Sequence, residues 1–183
     1  MHLVAYATNV KNDFNLVAII RKNLNKENLS DENFFNDKDN INKLIKDSSI
    51  QKNDELKNLF DNIKNIKCFP TFISDKIRQL NQKNTFLLGD AFYALLPTFA
   101  QEASQSIESA YELFNTLNEN NLNKYFRNRA ERIKIVNRRS KFNYYLFHLS
   151  NPIFVFIRNL VLKFATKNKS FLNKYLGQIY SRN

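Results

Sequence analysis

The spacing of apolar residues changes several times along the chain, and each change predicts an element. His2-Leu3-Val4-Ala5-Tyr6-Ala7 and Phe14-Asn15-Leu16-Val17-Ala18-Ile19-Ile20 are β-prone runs parted by the turn-rich Asn9-Val10-Lys11-Asn12-Asp13. They predict an antiparallel hairpin. A lone hairpin is marginal in water, so a further sheet partner is expected. Ser30-Asp31-Glu32-Asn33 offers helix-start chemistry. Ile41, Leu44 and Ile45 within 37–50, and Leu56, Leu59, Phe60 and Ile63 within 54–66, then predict two short amphipathic helices. After Pro70 in the segment 68–73, read as a strand, comes the turn Asn81-Gln82-Lys83-Asn84. It leads into Thr85-Phe86-Leu87-Leu88, an apolar run short enough for a buried strand.

From Gln101 the period is helical, with Ala103, Ile107, Ala110, Phe114 and Leu117 on one stripe. A second helix over about 122–148 lines up Phe126, Ala130, Ile133 and Asn137 among basic residues. Asn151-Pro152 opens a third over 153–166, because proline suits the first helical position. Residues 170–180 read either as a last short helix or as an irregular tail. The expected fold class is α+β, in three segments: a hairpin, short helices and a strand over 1–80; strand, Gly89-Asp90 loop and helix over 81–120; and basic helices over 121–183.

Charge sharpens this division. Of 28 Lys and Arg and 17 Asp and Glu, residues 121–183 carry 14 basic residues and Glu131 alone, so the whole excess of +11 is C-terminal. Arg127, Arg129, Arg132, Lys134, Arg138, Arg139 and Lys141, with Tyr144, Tyr145 and Phe147, could form a phosphate-binding face. Ile153-Phe154, Phe156-Ile157 and Leu160-Val161-Leu162, flanked by Lys and Arg, could instead rest on an anionic membrane. The large apolar content favours peripheral membrane contact, and no nucleic-acid partner is expected. The bland alternative is a solvated helix face with a packing stripe. Arg158 and Lys163 interrupt the best apolar run, 152–165, and no signal peptide is recognisable, so a soluble, cytoplasmic protein is expected. Cys68, the only cysteine, permits no internal disulfide and reads as a small buried hydrophobe; His2 and His148 have no partner at ligand or triad spacing.

The remaining chemistry sits at Gly89-Asp90. A strand ending in Gly-Asp combines a residue that permits close backbone approach with a carboxylate that accepts from hydroxyl groups. A helix starting near Gln101 would direct its free N–H groups, with about half a positive charge, toward the same crevice. A ligand-free turn is the plain alternative for Gly89-Asp90 alone.

The stretch Gly89-Asp90-Ala91-Phe92-Tyr93-Ala94-Leu95-Leu96-Pro97-Thr98-Phe99-Ala100-Gln101-Glu102-Ala103-Ser104-Gln105-Ser106-Ile107-Glu108-Ser109-Ala110 resembles the second flavin-binding motif of the FAD-dependent aromatic hydroxylases. In that family, which includes para-hydroxybenzoate, salicylate and ubiquinone-biosynthesis hydroxylases, it commonly reads GDAAHAMPPTLGQGANQAIEDA. Tyr125-Phe126-Arg127-Asn128-Arg129-Ala130-Glu131-Arg132 resembles the family's Y-E-x-x-R-x-x-R segment, and the hairpin resembles strands of its substrate domain. The resemblance implies that Asp90 holds ribityl or neighbouring hydroxyls of FAD and that Pro97 lies near the flavin's reactive edge. It also implies that Ala100, Gln101, Glu102 and Ala103, with Ser104 following, present backbone N–H groups to the pyrimidine. The implied reaction is a monooxygenation of a small aromatic substrate, with NADH or NADPH as reductant. Tyr93 stands at the family's His, and Ala100-Gln101-Glu102 at its Gly-Gln-Gly, so Glu102 is expected to disfavour reduced flavin unless it turns outward. Tyr93 and Phe99 read as packing residues. The pyrophosphate fingerprint G-x-G-x-x-G needs three glycines, and only Gly89 and Gly177 are present. The expectation is therefore a hydroxylase fragment with little activity alone.

Overall fold

The computed structural model describes residues 1–8, 13–31, 33–48, 53–63, 65–79, 84–98 and 100–180. Its architecture is α+β in the coarse sense, one antiparallel hairpin followed mainly by helices. Strands β1 (His2–Ala7) and β2 (Phe14–Ile19) pair with His2 opposite Ile19 and Ala7 opposite Phe14. The register sets Val4 against Val17, a β-branched cross-strand pair. No third strand joins them among the described residues, and Val4, Tyr6, Phe14 and Val17 remain exposed. The predicted turn at 9–12 lies outside the described residues.

Helices α1 (Lys26–Ser30), α2 (Lys38–Lys46) and α3 (Asp54–Asp61) each open on a side-chain oxygen that accepts a backbone N–H of the first turn. The caps are Asn25 for Asn28, Asp37 for Asn40 and Asn53 for Leu56. Ser30-Asp31 closes α1 instead of starting a helix, because Asn25 has already supplied the cap. Both α2 and α3 are shorter than their periodicity predicts. At the end of α3 the Asn62 side chain donates to the Asn58 carbonyl, and its N–H turns to Leu59 and Phe60. Ile41 and Phe60 are the buried residues of these two helices, while Ile50 falls outside the described residues.

The chain divides into two compact units, Met1–Thr71 and Phe72–Asn183. The segments predicted as strands, 68–73 and 85–88, form no strand. The adjoining backbone makes isolated bonds: Ser74 N–H donates to Ala94 C=O and Arg78 N–H to Phe92 C=O, each at 3.0 Å. Ala94 N–H donates to Ser74 Oγ at 2.9 Å. Helices α4 (Gly89–Phe92), α5 (Glu102–Asn118), α6 (Leu122–Phe147), α7 (Pro152–Ala165) and α8 (Lys169–Tyr180) complete the second unit. The predicted loop at Gly89-Asp90 is thus a single helical turn, and residues 169–180 form a helix, not an irregular tail. Phe92, Tyr93 and Leu95 pack against Ile133 and Val136 of α6, with Ile77, Leu87 and Phe126 at the margin. Full burial of such side chains contributes about 1.5–3 kcal/mol each, so this cluster anchors the Gly89 segment on α6.

Two predicted stripes are displaced. On α6 the buried line is Tyr125, Arg129, Ile133, Val136 and Ser140, whereas Phe126, Ala130 and Asn137 are half-buried. On α5 the expectation is inverted: Gln105, Ser109, Leu113 and Thr116 face inward. Ala103, Ile107, Ala110, Phe114 and Leu117 face outward, Ile107 being 72% and Phe114 62% exposed. The reason is electrostatic, since α6 brings a buried guanidinium that only α5's polar side can neutralise.

Candidate functional site

Gly89 has φ +54°, left-handed backbone that a residue with a Cβ adopts at a cost. A Cβ placed there would stand 2.5 Å from Ser106 Oγ and 3.2 Å from Ser106 Cβ. Glycine is therefore required for the approach of α4 to α5. Asp90 sits exposed in the first turn of α4, with no hydrogen bond or ion pair to the described residues. Its carboxylate is available to an outside donor. Behind it, Gly89, Asp90, Glu102, Gln105 and Arg129 line a recess of about 10 Å³, the size of one water. Phe92, Tyr93, Leu95 and Ile133 close its base.

Pro97 is half-buried ahead of the bend that enters α5, and Thr98 Oγ1 ties that bend to Ser140 C=O of α6 at 3.0 Å. Ala100 is exposed with φ +50°, one residue before the helix. Gln101 is the buried N-cap, and its side chain accepts none of the first-turn N–H groups. The amides of Glu102, Ala103 and Ser104 thus lack a side-chain acceptor from the cap. Ala103 and Ser104 are exposed; Glu102 is half-buried and faces the recess, not clear of it. Of the predicted residues, Gly89, Asp90 and Glu102 line this recess together, and Ala100, Gln101, Ala103 and Ser104 follow one another through the entry to α5.

Tyr93 is buried, and its hydroxyl accepts a hydrogen bond from Asn137 Nδ2 at 2.8 Å. Burial pushes its pKa up, with the Asp75 charge acting the same way. Cys68 is half-buried, and burial likewise raises its thiol pKa. Phe99 lies outside the described residues.

The periodicity missed a buried polar network that joins α5 to α6. Arg129 is 2% exposed, its Nη1 3.5 Å from Glu108 and 3.7 Å from Glu112. Its Nη2 donates to Gln105 C=O and Gln105 Oε1. Gln105 Nε2 donates to Glu108, which also pairs with Arg132 at 3.2 Å. Arg132 Nη2 reaches on to Ile179 C=O at 2.6 Å. Asn128 Nδ2 donates to Glu112, and Ser109 Oγ and the Tyr125 hydroxyl lie 2.8 Å apart. Burial raises the Tyr125 pKa, against the opposing effects of Ser109 and Arg129. The available signal was Glu108 and Glu112, four apart and so on one helix face, opposite Arg129 and Arg132 across the short turn at 119–121.

This network removes Arg129 and Arg132 from any outward phosphate-binding face. Arg139 lies over the Tyr175 ring, 4.4 Å from its centroid. No family model, curated protein or solved structure matches this chain.

FAD is the cofactor that the motif resemblance implies, and the residues at the recess and the entry to α5 fit it in part. An unpartnered carboxylate and uncapped helix amides suit hydroxyl and carbonyl groups respectively. A recess of about 10 Å³ admits no ring, so the described residues could hold a flavin only across their outer surface.

Proposed function

We propose that this chain forms the second flavin-contacting part of a FAD-dependent aromatic hydroxylase, within that family's α+β fold. The observation that carries the reading is the left-handed backbone at Ala100, directly before the N-cap of α5. The resembling motif has glycine at that position, as a turn of this handedness favours. The convergence of Gln105, Glu108, Tyr125, Arg129 and Arg132 in one network adds support, because these residues carry the resemblance in both of its segments.

In this reading Asp90 accepts from ribityl-side hydroxyl groups, and the amides of Glu102, Ala103 and Ser104 meet the pyrimidine carbonyls. Pro97 borders the reactive edge. FAD bound there would supply electron transfer from NADH or NADPH and oxygenation of a small aromatic ring. The protein's own work is binding and orientation: the α5–α6 network holds the amides and the Asp90 carboxylate at one spacing. Glu102 adds negative charge beside them, which disfavours an electron-rich ring.

The test joins the chain to an upstream segment containing G-x-G-x-x-G and measures flavin retained after gel filtration. The joined protein should keep flavin absorbance, the chain alone little. Asp90→Ala should weaken retention about tenfold, the loss expected for a charge-assisted hydrogen bond. A joined, folded protein without flavin absorbance would overturn the reading.

A further inference from the structure

Helix α7 is well formed and almost uncovered. Asn151 Oδ1 accepts from Ile153 N–H and Phe154 N–H, Pro152 occupies the first turn, and the Thr166 hydroxyl donates to Leu162 C=O. Yet none of its residues is buried. At 100° per residue, Phe156, Leu160, Ile153, Phe164, Ile157 and Val161 occupy a continuous arc of about 140° without a polar residue. All six are between 46% and 69% exposed.

The opposite side of the helix meets the protein. Half-buried Val155 lies there, and Arg158 donates from Nη1 to Leu146 C=O of α6 at 2.8 Å. The helix therefore turns one of its two charged side chains inward and its most apolar side outward. Beyond its end the arc continues into an open depression of about 430 Å³, where Phe171 of α8 faces Val161 and Phe164.

The surroundings are cationic. Residues 132–183 contain no Asp or Glu, and Lys163, Lys167, Lys169 and Lys174 stand exposed beside or just beyond the arc. We propose that α7 lies in the plane of an anionic lipid bilayer surface, with the Phe156–Phe164 arc among the acyl chains and the lysines at the headgroups. Charge complementarity selects this occupant: a second copy would bring the same uncompensated lysines to the seam. Length excludes spanning, since 14 residues rise about 21 Å and a bilayer core needs about 20 residues. An in-plane helix needs only an apolar face and basic flanks.

The experiment uses the whole chain, which contains no Trp, so Phe156→Trp reports on the arc alone. With vesicles of phosphatidylcholine plus phosphatidylglycerol, its emission should shift to the blue and the protein should co-sediment. Pure phosphatidylcholine should bind at least tenfold less, and added salt should release the protein. Phe156→Glu with Phe164→Glu should lower sedimentation at least tenfold while leaving the circular dichroism unchanged, because both side chains are exposed. Replacing Lys163, Lys167, Lys169 and Lys174 by Gln should remove the preference for anionic lipid. The proposal is overturned by an unshifted emission, by equal binding to neutral vesicles, or by binding indifferent to the glutamates. Concentration-dependent self-association that the glutamates abolish, without vesicle binding, assigns the arc to a second copy and also overturns it.

Discussion

The α5–α6 seam and helix α7 reverse the ordinary relation of hydropathy to burial. In the seam a guanidinium, two carboxylates, an amide and two hydroxyls are buried or nearly so. On α7, phenylalanine, isoleucine and leucine side chains face outward. Burial in the seam is specified by partners of fixed geometry: Arg129 meets Gln105, Glu108 and Glu112 on three successive turns of α5, and the two carboxylates have further donors in Gln105, Arg132 and Asn128. On α7 the six residues of the apolar arc stay at least 46% exposed. A charge can thus be internal when its complement is built beside it; for the α7 face the complement we propose is a lipid surface.

The largest test strikes the seam. Arg129→Ala would leave Glu108 and Glu112 facing each other without their shared cation, a loss of about 3–5 kcal/mol for a broken buried pair. Urea unfolding followed by helical circular dichroism should show a strongly lowered midpoint, since most helical residues belong to Phe72–Asn183. Arg129→Met combined with Glu108→Gln and Glu112→Gln should recover much of the loss, because no unpaired charge remains. Phe156→Glu on α7 should leave the midpoint within about 0.5 kcal/mol of the parent. If the Arg129→Ala midpoint matches that of Phe156→Glu, the contrast between the regions is wrong.

The same contrast explains what could be read from the sequence. The hairpin and α7 were legible because each depends on neighbours in the sequence: alternating β-prone runs in one case, Asn151-Pro152 before an apolar stretch in the other. The stripe on α5 was legible as a helix but not as a face. Ile107 and Phe114 recur at helical spacing whether they point inward or outward, and only Arg129, 24 residues beyond Gln105, decides which side turns in. The segments 68–73 and 85–88 failed for a related reason. Apolar content proposes a strand, but a strand also needs a neighbouring ladder, and none forms at either segment among the described residues. At the candidate site Gly89 was legible as a special backbone position; its reason, contact with Ser106, was not.

Gly89 supplies the next test, on the approach of α4 to the seam. Gly89→Ala forces a Cβ into left-handed backbone, costing roughly 1–2 kcal/mol, and into Ser106, costing roughly 1–3 kcal/mol more. The sum expected from the urea midpoint is about 2–5 kcal/mol. Adding Ser106→Gly should return the packing part and leave the dihedral part. A double mutant no more stable than Gly89→Ala would show that Ser106 does not set the approach.

The smallest effect has the opposite sign. Ala100 holds φ +50° at the exposed entry to α5. Glycine removes a left-handed penalty of about 1–2 kcal/mol but gives the unfolded chain more freedom, worth about 0.5–1 kcal/mol. Ala100→Gly should therefore stabilise the helical unit by up to about 1.5 kcal/mol, seen as a higher urea midpoint at unchanged slope. Because Thr98 fixes the bend to Ser140, the gain should persist in Thr98→Val, where that hydrogen bond is absent and the overall midpoint is lower. A loss of stability on Ala100→Gly would mean that the bend enters α5 without left-handed backbone, and the seam would then lack the turn that sets its amides beside Asp90.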